Sequence, residues 1–327
     1  MFGELPKIFD RNFVIAFFLP ALVFVAANLG LFVAFDLFSP LISFMRSELL
    51  QGASTLGIMS WTLGVLLLVL NYNIYRTLEG YGKYNPLQFL KKYEINRFNR
   101  LQGSLTKLRR QIQDGDASGE EEVVLNELRA QRDKLLRTKV QEFPLDARRL
   151  LPTKFGNVLR SFEDYPPDIY GVDSIIVWVR LLAVITKDYR ELLDSAKAQT
   201  DFWTNLWLLG GVFIIEYVGL VLYTAQPKRF WIPLVAVLLS WRASSAARAA
   251  AIQWGDYVKS CFDLFLPQLH RKLHLPQTTN IADERELWMR FSQIVIYHRA
   301  DKVFDRTLVA KPDDAEGENS GGLAAKD

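Results

Sequence analysis

The stretch at residues 202–223, FWTNLWLLGGVFIIEYVGLVLY, decides the fold. It is one continuous apolar run with a single ionisable side chain, Glu216. A hydrocarbon layer about 30 Å thick is crossed by about 20 residues of helix. Inside lipid every backbone N–H and C=O needs an internal partner, which leaves helices or closed barrels. An apolar run that is continuous rather than alternating reads as helix. Three further stretches have this character: residues 13–35, 55–70 (continuing through Asn71 and Tyr72) and 230–251. The first has Pro20 as a mild kink candidate and Asn28 as a polar exception. It is longer than a signal-peptide core of about 7–15 residues and is expected to be a retained anchor. The last is interrupted by Arg242 and Arg248. The expected fold class is an all-α polytopic membrane protein. It has four transmembrane helices plus a cytoplasmic helical domain containing a helical hairpin.

The net charge of +3 is too small to imply nucleic acid. Its distribution is more informative. Cytoplasmic loops carry excess Lys and Arg close to the membrane. After the second stretch come Arg76, Lys83, Lys91, Lys92, Arg97, Arg100, Lys107, Arg109 and Arg110, whereas the first loop has only Arg46. Both termini and the central insert are therefore expected in the cytoplasm. Lys228 and Arg229 in the last short turn oppose this weakly. The expected location is a cell membrane, by residue usage a bacterial inner membrane. The single cysteine, Cys261, excludes an intramolecular disulfide framework.

The expected organisation is a first helix pair with an outer interfacial loop (1–72) and a cytoplasmic helical insert (73–201). A second helix pair (202–253), C-terminal cytoplasmic helices (254–310) and a disordered tail (311–327) follow. In the outer loop, Ser39 suits a cap and Pro40 the first helical position. The insert opens with tyrosines among basic residues: Tyr75, Arg76, Tyr81, Lys83, Tyr84, Lys91 and Lys92. Such side chains suit headgroups and anionic lipid, and equally an ordinary positive flank with buried tyrosines. Residues 86–113 place Phe98, Leu101, Leu105, Leu108 and Ile112 at alternating steps of three and four. Asp114-Gly115-Asp116 is expected to break that helix, with a second starting at Ser118 and ending near Phe143-Pro144. Two helices so joined form an antiparallel hairpin. The run from Leu151 to Arg160, LPTKFGNVLR, looks like a signature but spells no known catalytic motif. Ala243, Ala247 and Ala251 form a small-residue face for close helix packing, within the chain or between subunits.

The sharpest candidate is Glu216, because an ionisable group within a span is costly. Helical rise brings Arg242 within reach of it from the returning helix, so the two are expected to pair, directly or through water. Glu216, Arg242 and Asn28 are then either pore candidates or a structural pairing of helices. His270 and His274 stand four apart but lack the further ligands that zinc needs. Asp164, Asp168 and Asp173 cluster beside prolines and a turn, and the turn explains them. No phosphate-binding glycine loop, nucleophile elbow or His-Glu-x-x-His motif occurs, so no enzyme, metal or cofactor is expected. The expected partners are the lipid bilayer and further copies of the chain. The expected function is an oligomeric assembly that forms or gates an ion pathway under control of its cytoplasmic domain. The alternative is a membrane-anchored scaffold or sensor that recruits a protein partner or anionic lipid through the basic insert.

Overall fold

The computed structural model describes residues 10–298, apart from 36, 48, 83, 120 and 225–230. Every regular element among the described residues is a helix, and none is a strand. Three helices are long and apolar enough to cross a membrane. They are α1 (Arg11–Ala34), α3 (Leu49–Glu79) and α9 (Lys187–Thr224). Between α1 and α3 lies the short helix α2 (Ser39–Ser47). The expected fourth stretch lies in α10 (Trp231–Lys272), a single long helix whose described residues do not meet the same standard. Arg242 cuts its apolar run short.

The chain divides into two compact units, Met1–Tyr165 with Thr186–Ser260, and Pro166–Ile185 with Cys261–Asp327. In the first unit, α1, α3 and α9 pack around Phe13, Ala16, Phe17, Ala21, Leu67 and Leu209. Near their other ends, Leu31, Tyr217 and Val221 form a second cluster, against which Ile232 packs. The first helix contains a π-turn, Val14–Phe18. Pro20 explains it. Proline has no N–H to offer the carbonyl four residues earlier. That carbonyl, on Ala16, accepts instead from Asn205 Nδ2 of α9 at 2.9 Å.

The hairpin consists of α4 (Lys91–Ser118) and α5 (Glu122–Glu142). Polar rungs tie its two arms: Arg97 to Glu142, Lys139 to Gln102 at 2.7 Å, and Arg129 to Asp116 at 2.9 Å. Phe98, Leu105 and Ile112 of the expected seam are buried. Two details differ from expectation. Residues 86–90 form a separate short 3-10 turn, Pro86–Leu90, capped by the Asn85 side chain. The Asp114-Gly115-Asp116 triplet does not end α4. Gly115 is buried and Asp116 is held by Arg129, so the helix continues until Gly119 turns it at φ 71°. Cross-arm contacts here outweigh the weak helix propensity of Gly and Asp.

After the hairpin come α6 (Lys154–Glu163), capped by Thr153, and α7 (Tyr165–Tyr170). The second unit is built from α7, α8 (Ser174–Leu181), the end of α10 and α11 (Ile281–Tyr297). Its core holds Val172, Val177, Leu181, Phe262, Leu266 and Trp288. Arg285 donates to the Asp168 and Ile169 carbonyls, and the Asp173 amide donates to Ser292 Oγ.

Candidate functional site

Chemistry-bearing side chains of the first unit collect at one end of α3, where its last turn meets the LPTKFGNVLR run. Gly80 ends α3 with φ 88°, and a Cβ there would collide with the Pro152 ring. Thr153 Oγ donates to the Leu78 carbonyl and accepts from the Gly156 amide. Gly156 is required because a Cβ would lie 2.9 Å from the Glu79 Cα. Asn157, fully buried, accepts from the Leu151 amide at 2.7 Å and donates to the Leu151 carbonyl at 3.0 Å. Its Nδ2 also reaches Glu94 Oε2 at 3.1 Å, and Arg97 pairs with the same oxygen at 3.0 Å. The buried Glu94 carboxylate is thereby satisfied. Arg160 donates to the Tyr81 hydroxyl and lies 3.5 Å from Glu163. Burial pushes the Glu163 carboxyl up, against the pull of the Arg160 and Arg149 guanidiniums. The signature-like run is thus a bracket that locks the hairpin base to the end of α3.

About one turn further along the bundle is a second polar node. Asp201, buried, accepts from Tyr75 at 2.7 Å and from Asn71 at 3.5 Å, and pairs with Lys197 at 2.7 Å. The Lys197 ammonium also sits over the Tyr75 and Trp254 rings. The Asn71 and Asn205 side-chain carbonyls are buried with no partner among the described residues. Beside these nodes is a cavity of about 340 Å³. Leu78, Leu87, Trp207 and Trp241 give it apolar walls, and Lys154 and Arg248 give it two cations.

The residues singled out from sequence fall as follows. Glu216 is exposed on α9 and lies within hydrogen-bonding reach of Asn28. Among the described residues it makes no ion pair with Arg242, which is also exposed, so the expected Glu216–Arg242 pair is corrected. The reason is register. Gly210 faces Ser240, whose hydroxyl lies 3.4 Å from the Trp207 carbonyl, and Ile232 packs against the cluster of Leu31, Tyr217 and Val221. Arg242 is therefore level with Leu206, about ten residues or ~15 Å along the axis from Glu216. Ala243, Ala247 and Ala251 are buried within the single chain. Arg76 stacks on the Tyr72 and Tyr81 rings. Tyr84, Lys91 and Lys92 are exposed, and Lys83 lies outside the described residues, as does the tail at 311–327.

His270 is buried against Trp288, while His274 follows the end of α10 at φ 51°, so the two share no helical face. Among the described residues no group of three His, Cys, Asp or Glu side chains is placed to hold a metal. Asp164 pairs with Arg149 at 2.6 Å, and Asp173 caps α8. Sequence reasoning missed Asp201, Glu94 and Asn157. The i,i+4 spacing of Lys197 and Asp201 signals a pair, but the partners on α3 stand some 130 residues away in the chain. No family model, curated protein or solved structure matches this chain.

Proposed function

We propose that this chain is a non-enzymatic integral membrane protein that assembles with copies of itself around an ion pathway. In this reading its helical mass outside the bilayer acts as regulator. The observation that carries it is Glu216. Its carboxyl is exposed on the surface of a spanning helix, near Asn28 and without a cationic partner among the described residues. An ionisable group facing lipid costs about 3 kcal/mol or more. A neighbouring subunit, or a water-filled path between subunits, removes that cost. The alanine face contributes nothing to the argument, because its residues are covered within one chain. The reading includes a fourth span at the start of α10, with the hairpin and both termini on the cytoplasmic side, as the basic flank after α3 favours. The test is subunit count in nanodiscs by native mass spectrometry, followed by bilayer recording. Rings of roughly four or more subunits are expected, with a conductance that changes on Glu216→Gln. A monomer with silent bilayers removes the reading.

A second reading is favoured by a different surface. Tyr84 is 87 % exposed and Phe89 75 % exposed, beside the exposed Lys91 and Lys92. Aromatic and basic residues next to a spanning helix suit membrane-surface recruitment of a partner or of anionic lipid. Deleting residues 86–140 is then expected to abolish that binding while insertion persists. Unchanged binding sinks this reading.

A further inference from the structure

We propose that the cavity beside the α3 terminus binds one anionic phospholipid, whose phosphate sits between Lys154 and Arg248 and whose first acyl segment lies along Trp207 and Trp241. The site is independent of the ion-pathway reading, since it uses neither Glu216 nor a second subunit.

Four observations carry it. The first is size: about 340 Å³ falls in the range of small-molecule pockets, roughly 300–1,000 Å³. The second is unspent charge. The Lys154 ammonium lies over the Tyr93 ring, and an Arg248 nitrogen bonds only the Ser245 hydroxyl, at 3.2 Å. Neither has an ion-pair partner among the described residues. The one carboxylate in the lining, Glu94, is already matched by Arg97 and Asn157. The cavity therefore presents net positive charge, which an anionic headgroup complements and a choline does not. The third is polarity by depth. Trp241 ends the apolar part of α10, and Arg248 follows seven residues later, about 10 Å along the helix. Trp207 stands opposite on α9, near Ser240. Apolar wall and cations are thus stacked in the order of acyl chain and phosphate. Tryptophan is enriched at that boundary, and basic pockets between spanning helices on the cytoplasmic side take lipid headgroups. The fourth is rigidity. Lys154 opens α6, whose start is clamped to the end of α3 through Thr153 and Pro152 and to α4 through Asn157. A cation on so fixed an element needs little reordering to bind.

The experiment uses the full chain, stripped of lipid in detergent, and native mass spectrometry. The probes are dioleoyl phosphatidylglycerol, dioleoyl phosphatidylcholine and inorganic phosphate. One phosphatidylglycerol per chain is expected, held about tenfold or more tighter than phosphatidylcholine. The double variant Lys154→Gln/Arg248→Gln is expected to lose that preference, while Lys187→Gln/Arg271→Gln, at exposed positions away from the cavity, keeps it. Ser244→Trp, which fills the cavity and leaves both cations, is expected to exclude the lipid. This variant decides the matter if the double variant does not fold. Equal retention of the two lipids by the unaltered chain overturns the proposal. So does phosphatidylglycerol binding unaffected by either cavity variant. Competition by inorganic phosphate at the lipid's own concentration also overturns it, and makes the pair of cations a free-anion site.

Discussion

At the residue scale, Asn157 and Cys261 show how burial sets chemistry. Asn157 has no exposed surface, and its amide serves both the Leu151 backbone and the Glu94 carboxylate. Asn157→Leu keeps the volume and strands those groups. Leaving buried polar groups unpaired costs about 1–3 kcal/mol, more where one is charged. We expect a loss near the top of that range in urea unfolding of the detergent-solubilised protein, and a change near zero would contradict the bracket described above. Cys261 is fully buried, and burial pushes its thiol up to about 12, from an ordinary 9.0. It should resist alkylation at pH 8 until the protein is unfolded. The raised value also sets a sign. Between pH 9 and 12 the unfolded chain releases this proton while the folded chain keeps it. That contribution to stability is complete below pH 9 and fades as the pH rises through this window. Cys261→Ala should flatten that fall, and an unchanged pH slope would show the thiol plays no part.

At the element scale, two junctions decide how helices meet. The first is the π-turn. Asn205 substitutes for the hydrogen bond that Pro20 cannot give to the Ala16 carbonyl. Asn205→Leu should destabilise by about 1–3 kcal/mol. Adding Pro20→Ala restores an N–H and should recover part of the loss, whereas strict additivity in this double-mutant cycle would refute the compensation. The second is the end of α3. Gly80 and Gly82 both have positive φ, at 88° and 109°, but only Gly80 abuts Pro152. A side chain with left-handed φ costs about 1–2 kcal/mol. Gly82→Ala should show that cost alone. Gly80→Ala should lose more and should release α6 from α3, visible as faster amide exchange at Thr153–Asn157. The sequence revealed the hairpin because its seam recurs at helical spacing. It misplaced the helix break at Gly115, because a local propensity rule cannot see the Arg129–Asp116 rung.

At the scale of the whole molecule, the buried thiol makes topology directly measurable. With Cys261 inert, a cysteine introduced at Ser43 or at Ser104 is the only reactive one on the chain. In intact cells an impermeant maleimide should label Ser43→Cys, and Ser104→Cys only after permeabilisation. The opposite pattern would invert the orientation. Much of the architecture is legible in the sequence because lipid imposes a one-dimensional rule. Length and apolarity alone marked out α1, α3 and α9, the three helices long and apolar enough to cross a membrane, and helical periodicity identified the hairpin. What lies within residues 230–251 was harder, because Arg242 interrupts the run. The candidate sites were mostly illegible. Helical rise placed Glu216 opposite Arg242 only on an assumed turn geometry, and packing of Gly210 on Ser240 shifted the register by more than a helical turn. Glu94, Asn157 and Asp201 draw their partners from remote segments, and the cavity's two cations lie on α6 and α10, far apart in sequence. By itself the sequence determined which segments prefer lipid and which prefer water, since hydropathy is a property of each residue. Only the tertiary structure decided which polar groups meet, because that depends on helix phase and depth, which no single segment carries.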